Sequence, residues 1–313
     1  VTAGLFAWLL RGIDVGQVAD TAMNAAPGPF SLFLVLLLLG GLARAGRFWV
    51  LVGRSVPFRM LLGITLVRNL FVDLLPARLG ELSYIYLLTS RAGKPVEEGV
   101  ATLAISFLLD LVALSPLLLA ALLVVGGEGR VPIGVAVTLS ATLAMASTAA
   151  VLLGGDIARR LGRGLAAASS ARWRQAASRA SVLAAGLDRA RQQGVLLPAF
   201  GLSLLVRLCK YGGAYCLVLS LMMPLGYSLD QLGPFRIFLG NVAAEVAAAL
   251  PMHGLAGFGT YEAAWTLALE ELGYPREHAV VSGLLAHAIT QIVEYALGGF
   301  ALLWLMRPGR PVV

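Results

Sequence analysis

Lysine is nearly missing from this sequence: Lys94 and Lys210 are the two in 313 residues, and arginine supplies every other cation. Cysteine is as scarce, with Cys209 and Cys216 alone. Seven residues apart on a helix they sit roughly 10 Å from one another, beyond the reach of a disulfide, so they read as small packing residues. No Cys or His spacing suits a metal, and no cofactor is expected. Charge itself is thin: 13% of residues are Asp, Glu, Lys or Arg, where a soluble domain carries about a quarter. That shortage excludes a pair of ordinary soluble domains.

What is present instead is apolar. Hydrophobic residues make up 58% of the chain and mean hydropathy is +0.83. A bilayer core needs about 20 apolar residues per helix, and runs at 29–52, 99–125, 132–153, 195–223 and 279–306 meet that length. Residues 1–10 are apolar but too short to span, and are expected to be the tail of a helix that starts before Val1. The fold expected is an all-α integral membrane protein, a polytopic helical bundle.

Cations concentrate on the cytoplasmic side of membrane proteins. Segment 156–194 carries Arg159, Arg160, Arg163, Arg172, Arg174, Arg179, Arg189 and Arg191 against Asp156 and Asp188, so it is placed in the cytoplasm as a basic, Ala-rich linker with amphipathic helix, facing anionic headgroups. Loop 14–28, with Asp14 and Asp20, then lies outside, as do 126–131 and 225–233. Loop 53–59, with Arg54 and Arg59, and the tail with Arg307 and Arg310 lie inside.

Two regions do not read as simple spans. Region 58–90 is interrupted by Leu75-Pro76-Ala77-Arg78-Leu79-Gly80, and region 235–272 by Pro251 and the glycines of 254–259. Pro and Gly break helices there, leaving arms of about 10–18 residues, roughly 15–27 Å as helix. Both flanks of each region fall on one side by charge, the first on the cytoplasmic side and the second outside. Each is therefore expected to be a re-entrant helical hairpin. The chain divides into a first membrane repeat (1–154), the linker (155–194) and a second membrane repeat (195–313), an inverted-topology repeat of the kind behind alternating-access transporters.

Broken backbone at membrane depth is tolerated where it lines a cavity, and charge at depth costs about 2.5–3.5 kcal/mol per residue. Asp110, Arg207, Lys210 and Glu294 fall near the middle of spans, with His287 and Gln291 on the Glu294 face. Asp110 and Glu294 are expected to offset Arg207 and Lys210. The first hairpin adds Arg68, Asn69, Asp73, Arg78 and Glu81; the second adds Arg236, Asn241, Glu245, His253 and Glu262. Arg78 suits phosphate through its planar fork. Glu81 and Glu262 suit an amine or sugar hydroxyl, or cap a hairpin arm. His253 is a polar tip residue or a proton carrier.

Arg68-Asn69-Leu70-Phe71-Val72-Asp73-Leu74-Leu75-Pro76-Ala77-Arg78-Leu79-Gly80-Glu81 resembles the first signature of the lysylphosphatidylglycerol-synthase transmembrane family, the flippase-like domain proteins. Gly254-Leu255-Ala256-Gly257-Phe258-Gly259-Thr260-Tyr261-Glu262 resembles the second, and Arg44-Ala45-Gly46-Arg47-Phe48-Trp49 fits the family's basic turn. The resemblance implies a membrane unit that moves a modified lipid between leaflets, made elsewhere by a separate soluble synthase domain. With the sequence ending at Val313, a standalone unit without that domain is expected, its cargo a phospholipid, an aminoacyl-phosphatidylglycerol or a glycolipid. An ion-coupled transporter of a small soluble anion, and an accessory subunit docking a cytoplasmic enzyme through 156–194, remain rivals. With no nucleophile elbow and no metal-ligand cluster, the chain is not expected to be an enzyme. The partners expected are membrane lipids with anionic headgroups and no nucleic acid, with a homodimer and a cytoplasmic lipid-modifying enzyme left open. The Ala-, Gly- and Arg-rich composition points to a GC-rich bacterium, and hence to its cytoplasmic (inner) membrane with the C-terminus inside.

Overall fold

The computed structural model describes residues 14–75, 79–126, 133–166, 170–248 and 257–307, and every regular element among them is helical. In chain order these are α1 (Val15–Met23), α2 (Pro27–Leu51), α3 (Phe58–Leu74), α4 (Glu81–Ala92), α5 (Val96–Gly126), α6 (Ile133–Ala166), α7 (Ala171–Gln192), α8 (Leu196–Met222), α9 (Pro234–Ala248), α10 (Thr260–Glu271) and α11 (Arg276–Met306). A short 3-10 turn, Met223–Leu225, follows α8. Five helices are long and apolar enough to cross a bilayer, in the places the hydropathy runs predict: α2, α5, the 137–157 stretch of α6, α8 with its turn, and α11. Large apolar side chains such as Val35, Phe107, Val124, Phe300 and Leu303 point outward. In water that would be costly; toward lipid it is the expected arrangement.

Small residues set the helix spacing, as they do where lipid removes the hydrophobic drive between helices. The seam between α2 and α8 is the most extensive helix contact. There an added Cβ on Gly40 would lie 3.2 Å from Cys209 Cβ, and one on Gly213 would lie 3.6 Å from Leu36 Cβ. Between α11 and α3, a Cβ on Gly298 would come within 2.8 Å of the Leu66 carbonyl oxygen, so nothing larger than glycine fits.

The two interrupted regions are pairs of shorter helices, α3 with α4 and α9 with α10, each pair in mutual contact. Their first arms reach across the molecule: α3 packs on α11, and α9 packs on α5. The second arms stay local, α4 on α5 and α10 on α11. Gly80, at the entry to α4, presses against the end of α3, where a Cβ would fall 2.0 Å from the Phe71 carbonyl carbon. Glycine is the one residue that allows this close return. The tip residues 76–78 and 249–256, and with them Arg78, Pro251 and His253, lie outside the described residues.

The basic segment is more ordered than a linker. α6 runs unbroken through 154–155 to Ala166, about 51 Å of helix, which exceeds a bilayer core of roughly 30 Å. α7 folds back along it and also touches α5. Leu187 and Ala190 are buried against Ile105, Leu109 and Val151, and Arg159 pairs with both Asp156 and Asp188. α7 thus buries one face against the bundle and leaves Trp173 exposed.

Candidate functional site

Two polar clusters occupy the interior. The first begins on α2, where Arg44 and Arg47 stand three residues apart and so share a face. The resemblance places them in a basic turn; the structure places both inside the helix, with Arg47 only 3% exposed. The apolar run Phe48–Leu51 carries the helix past them, which is why they do not end at the interface. Arg47 Nη1 lies 2.5 Å from Asp110 Oδ1 and donates to Ser203 Oγ at 3.0 Å. Arg207, mid-way along α8, approaches the other oxygen of the Asp110 carboxylate at 3.6 Å. Asp110 therefore serves two arginines from two helices.

Around this triad the other charges interlock. Arg207 Nη1 donates to the Tyr211 hydroxyl at 3.3 Å, and that hydroxyl donates to Glu245 Oε2 at 3.4 Å. Lys210 Nζ lies 3.0 Å from Glu245 Oε1 and Arg207 3.8 Å from Oε2. Lys210 thus pairs with Glu245 on α9. Glu294 on α11, expected with Asp110 to offset Arg207 and Lys210, is in electrostatic range of Arg44. Arg44 donates to Asn69 Oδ1 at 2.8 Å, which also accepts from Arg68 Nη1 at 3.2 Å. Arg68 grips Glu81 with two parallel hydrogen bonds, the Nε one at 2.7 Å. Among the described residues this cluster sets Arg44, Arg47, Arg68, Arg207 and Lys210 against Glu81, Asp110, Glu245 and Glu294. The Nε–H donors of Arg47 and Arg207 are buried and meet no acceptor among the described residues. Such donors are costly unless something accepts from them.

The second cluster lies on α10 and α11. Glu262, 1% exposed, accepts from the Gly259 backbone N–H at 2.7 Å, capping α10, and its other oxygen meets His287 Nδ1 at 2.5 Å. His287 Nε2 lies 2.5 Å from Gln291 Nε2, and Tyr295 donates its hydroxyl proton to Gln291 Oε1. The imidazole packs against two rings, Tyr261 at 4.3 Å and Phe258 at 4.6 Å between centroids. Tyr261 in turn donates to Asn241 Oδ1 at 3.1 Å.

Of the residues singled out in the sequence, Arg68, Asn69, Glu81, Asp110, Arg207, Lys210, Glu245 and Glu294 come together in the first cluster. Asn241 and Glu262 belong to the second. Asp73 lies on α3, but its side chain is outside the described residues, as are Arg78 and His253 altogether. Arg44 and Arg47 are the members that sequence reasoning left out. Among the described residues no His, Cys, Asp and Glu side chains group as a metal site. A cleft of about 430 Å³ between α5 and α7, bordered by Glu98, Thr102, Val182 and Arg189, shares no residue with either cluster.

A helical bundle with five spanning helices and a buried lattice of arginines and carboxylates defines a polytopic membrane protein built around a charged interior. The family model for the lysylphosphatidylglycerol synthase TM region matches residues 1–298, and the chain belongs to that family. Comparison with curated proteins and with solved structures returned no match.

Proposed function

We propose that this protein is a lipid flippase: it carries an amphipathic lipid with an anionic headgroup group from one leaflet to the other, the headgroup in the charged interior and the tails in the bilayer. The observation that carries this reading is the pair of buried Nε–H donors on Arg47 and Arg207, which flank Asp110 and have no acceptor among the described residues. A phosphate diester supplies anionic acceptor oxygens of the kind these donors bind. Arginine forks match phosphate geometry, and charge at this depth usually marks a substrate path. Arg44 and Arg68 extend the cationic surface, while Glu81, Glu245 and Glu294 balance it and suit an amine or hydroxyl on the headgroup.

The moving parts in this reading are two re-entrant hairpins, α3/α4 and α9/α10, in an inverted repeat. The crossed packing supports it, since each first arm leans on the span that follows the interrupted region of the other half. So does the matching asparagine on each first arm, Asn69 and Asn241. Tilting the halves about the α2/α8 seam would open the cluster to one leaflet and then the other. The setting is a bacterial inner membrane with the α7 segment and the C-terminus in the cytoplasm.

Reconstituted vesicles containing fluorescent (NBD-labelled) phosphatidylglycerol test this. With the wild type, dithionite should bleach probe beyond the outer leaflet. Arg207→Gln should slow the exchange about tenfold or more, the value of a lost hydrogen bond to a charged group. Wild-type vesicles that exchange no lipid yet take up inorganic phosphate would move the assignment to a soluble anion. Exchange unchanged in a folded Arg207→Gln protein would remove the headgroup site.

A further inference from the structure

We propose that Glu262 and His287 form a proton-binding site that couples proton movement to the transport cycle. The inference rests on the transport reading for its purpose but not for its geometry.

Glu262 is essentially sealed from solvent, and among the described residues the potentially cationic group bonded to its carboxylate is His287. The charge of the site is therefore set by a single imidazole proton. The hydrogen bonds along α11 allow two arrangements. In the first, the Gln291 amide N–H donates to His287 Nε2, so that nitrogen carries no proton and Nδ1–H donates to Glu262; the imidazole is neutral and the site carries −1. In the second, Gln291 is turned by 180° and its carbonyl accepts from Nε2–H. His287 is then an imidazolium, the pair is neutral, and the Tyr295 hydroxyl accepts from the Gln291 amide. The distances, 2.5 Å from His287 Nε2 to the Gln291 amide and a direct Tyr295 contact beyond it, suit either orientation, since amide orientation follows the hydrogen-bond network. One proton and one amide rotation separate the two states. The rings of Phe258 and Tyr261 favour the cation once formed.

The site is also placed to act on the broken backbone. The same Glu262 carboxylate that meets His287 holds the Gly259 N–H at the start of α10. Gly259, with φ +97°, and Gly257, with φ +75°, set the chain's direction out of the tip. A Cβ on Gly257 would stand 3.6 Å from His287 Cε1, so the backbone at Gly257 lies against the ring. A full charge on Glu262 grips that N–H more tightly than a carboxylate shared with an imidazolium, so proton gain loosens the cap and proton loss tightens it.

The neighbouring charged and titratable groups keep the two clusters in communication. From α9, Glu245 acts on Tyr261, as does Tyr211 from α8. Glu294 stands one residue before Tyr295 on α11 and acts on Arg44. An anionic headgroup drawn to Arg207 and Lys210 competes for the cations that hold Glu245, leaving more negative charge beside Tyr261. Tyr261 stacks directly on the His287 ring. Anion and proton would then load together, and one proton per cargo at a one-unit pH difference supports up to about a tenfold concentration ratio.

Two measurements test this. The first is infrared difference spectroscopy of the reconstituted protein stepped between about pH 5 and 8.5, the window in which imidazoles ordinarily titrate, for wild type, His287→Gln and Glu262→Gln. An imidazole and carboxylate signal that moves together in wild type and vanishes in His287→Gln is the expected result. A wild-type spectrum without it, or one that His287→Gln leaves intact, overturns the site. The second is the fluorescent-lipid exchange under an imposed pH gradient. Wild type should show a several-fold rate difference between the two gradient directions, and Glu262→Gln none. Lipid exchange indifferent to the gradient in wild type overturns the coupling while leaving the flippase reading in place. Absence of any lipid exchange removes the flippase reading, and the infrared titration then decides the proton site by itself.

Discussion

Asp110 receives Arg47 at 2.5 Å and Arg207 at 3.6 Å, and one carboxylate between two guanidinium groups cannot fully satisfy both. At a buried site, removing one partner of an ion pair costs about 3–5 kcal/mol because the other charge is left stranded. The Arg68–Glu81 pair is simpler, bidentate and mostly enclosed, at 14% and 25% exposed, and it joins the two arms of one interrupted region. A double-mutant cycle on Arg68→Met and Glu81→Met, read by thermal unfolding in detergent, should return a coupling of about 0.5–3 kcal/mol. Additive effects would mean that the pair does not hold α3 and α4 together. These two partners were legible as polar members of a broken region, but their pairing was not. Glutamate at the first turn of an arm reads equally as a helix cap, and only Glu262 takes that role, through Gly259. Arg44 and Arg47 escaped because cations near the end of an apolar run normally mark the membrane interface. Their partners come from α3, α5, α8 and α11, and no local pattern announces that. The three-residue spacing and the apolar turn that follows them were the signal available.

At the scale of helices, the α2/α8 seam is where the two halves of the chain meet. An added Cβ on Gly40 would sit 3.2 Å from Cys209 Cβ, slightly closer than the usual 3.5–4.5 Å of a disulfide. Gly40→Cys should therefore oxidise to a crosslink with Cys209 after a small adjustment of the helices. Trypsin cleavage within the Arg-rich α6–α7 region would then leave fragments that separate only under reduction. Two fragments on a non-reducing gel after oxidation would contradict the seam. The five long helices were readable because apolar runs of their length have one physical use. The ends of α3 and α9 were readable because Pro76 and Pro251, which follow them, disfavour a continuing helix, although Pro116 rides inside α5. The fold-back of α7 was not, since its Ala-rich sequence has no strong apolar stripe. Its burial depends on small residues such as Gly186, where a Cβ would meet the Ala101 Cβ at 2.3 Å.

For the whole molecule, the proposed orientation places α7 in the cytoplasm and the 226–233 loop outside. In a background with Cys209 and Cys216 replaced by alanine, Trp173→Cys should react with a membrane-impermeant maleimide only in inside-out vesicles, and Asp230→Cys only in intact cells. Both positions labelling from one side would reverse or break the topology. The crossed packing of α3 on α11 and α9 on α5 also bears on how the protein is made. About 200 residues separate the end of α3 from the start of α11, which at roughly 5–20 residues per second takes about 10–40 s to synthesise. For that time the face of α3 carrying Leu66 and Leu70, which Gly298 will cover, has no partner. The N-terminal half therefore waits in the membrane, unfinished, until the ribosome delivers the helix that closes it, and an insertase or lipid has to shelter that face meanwhile.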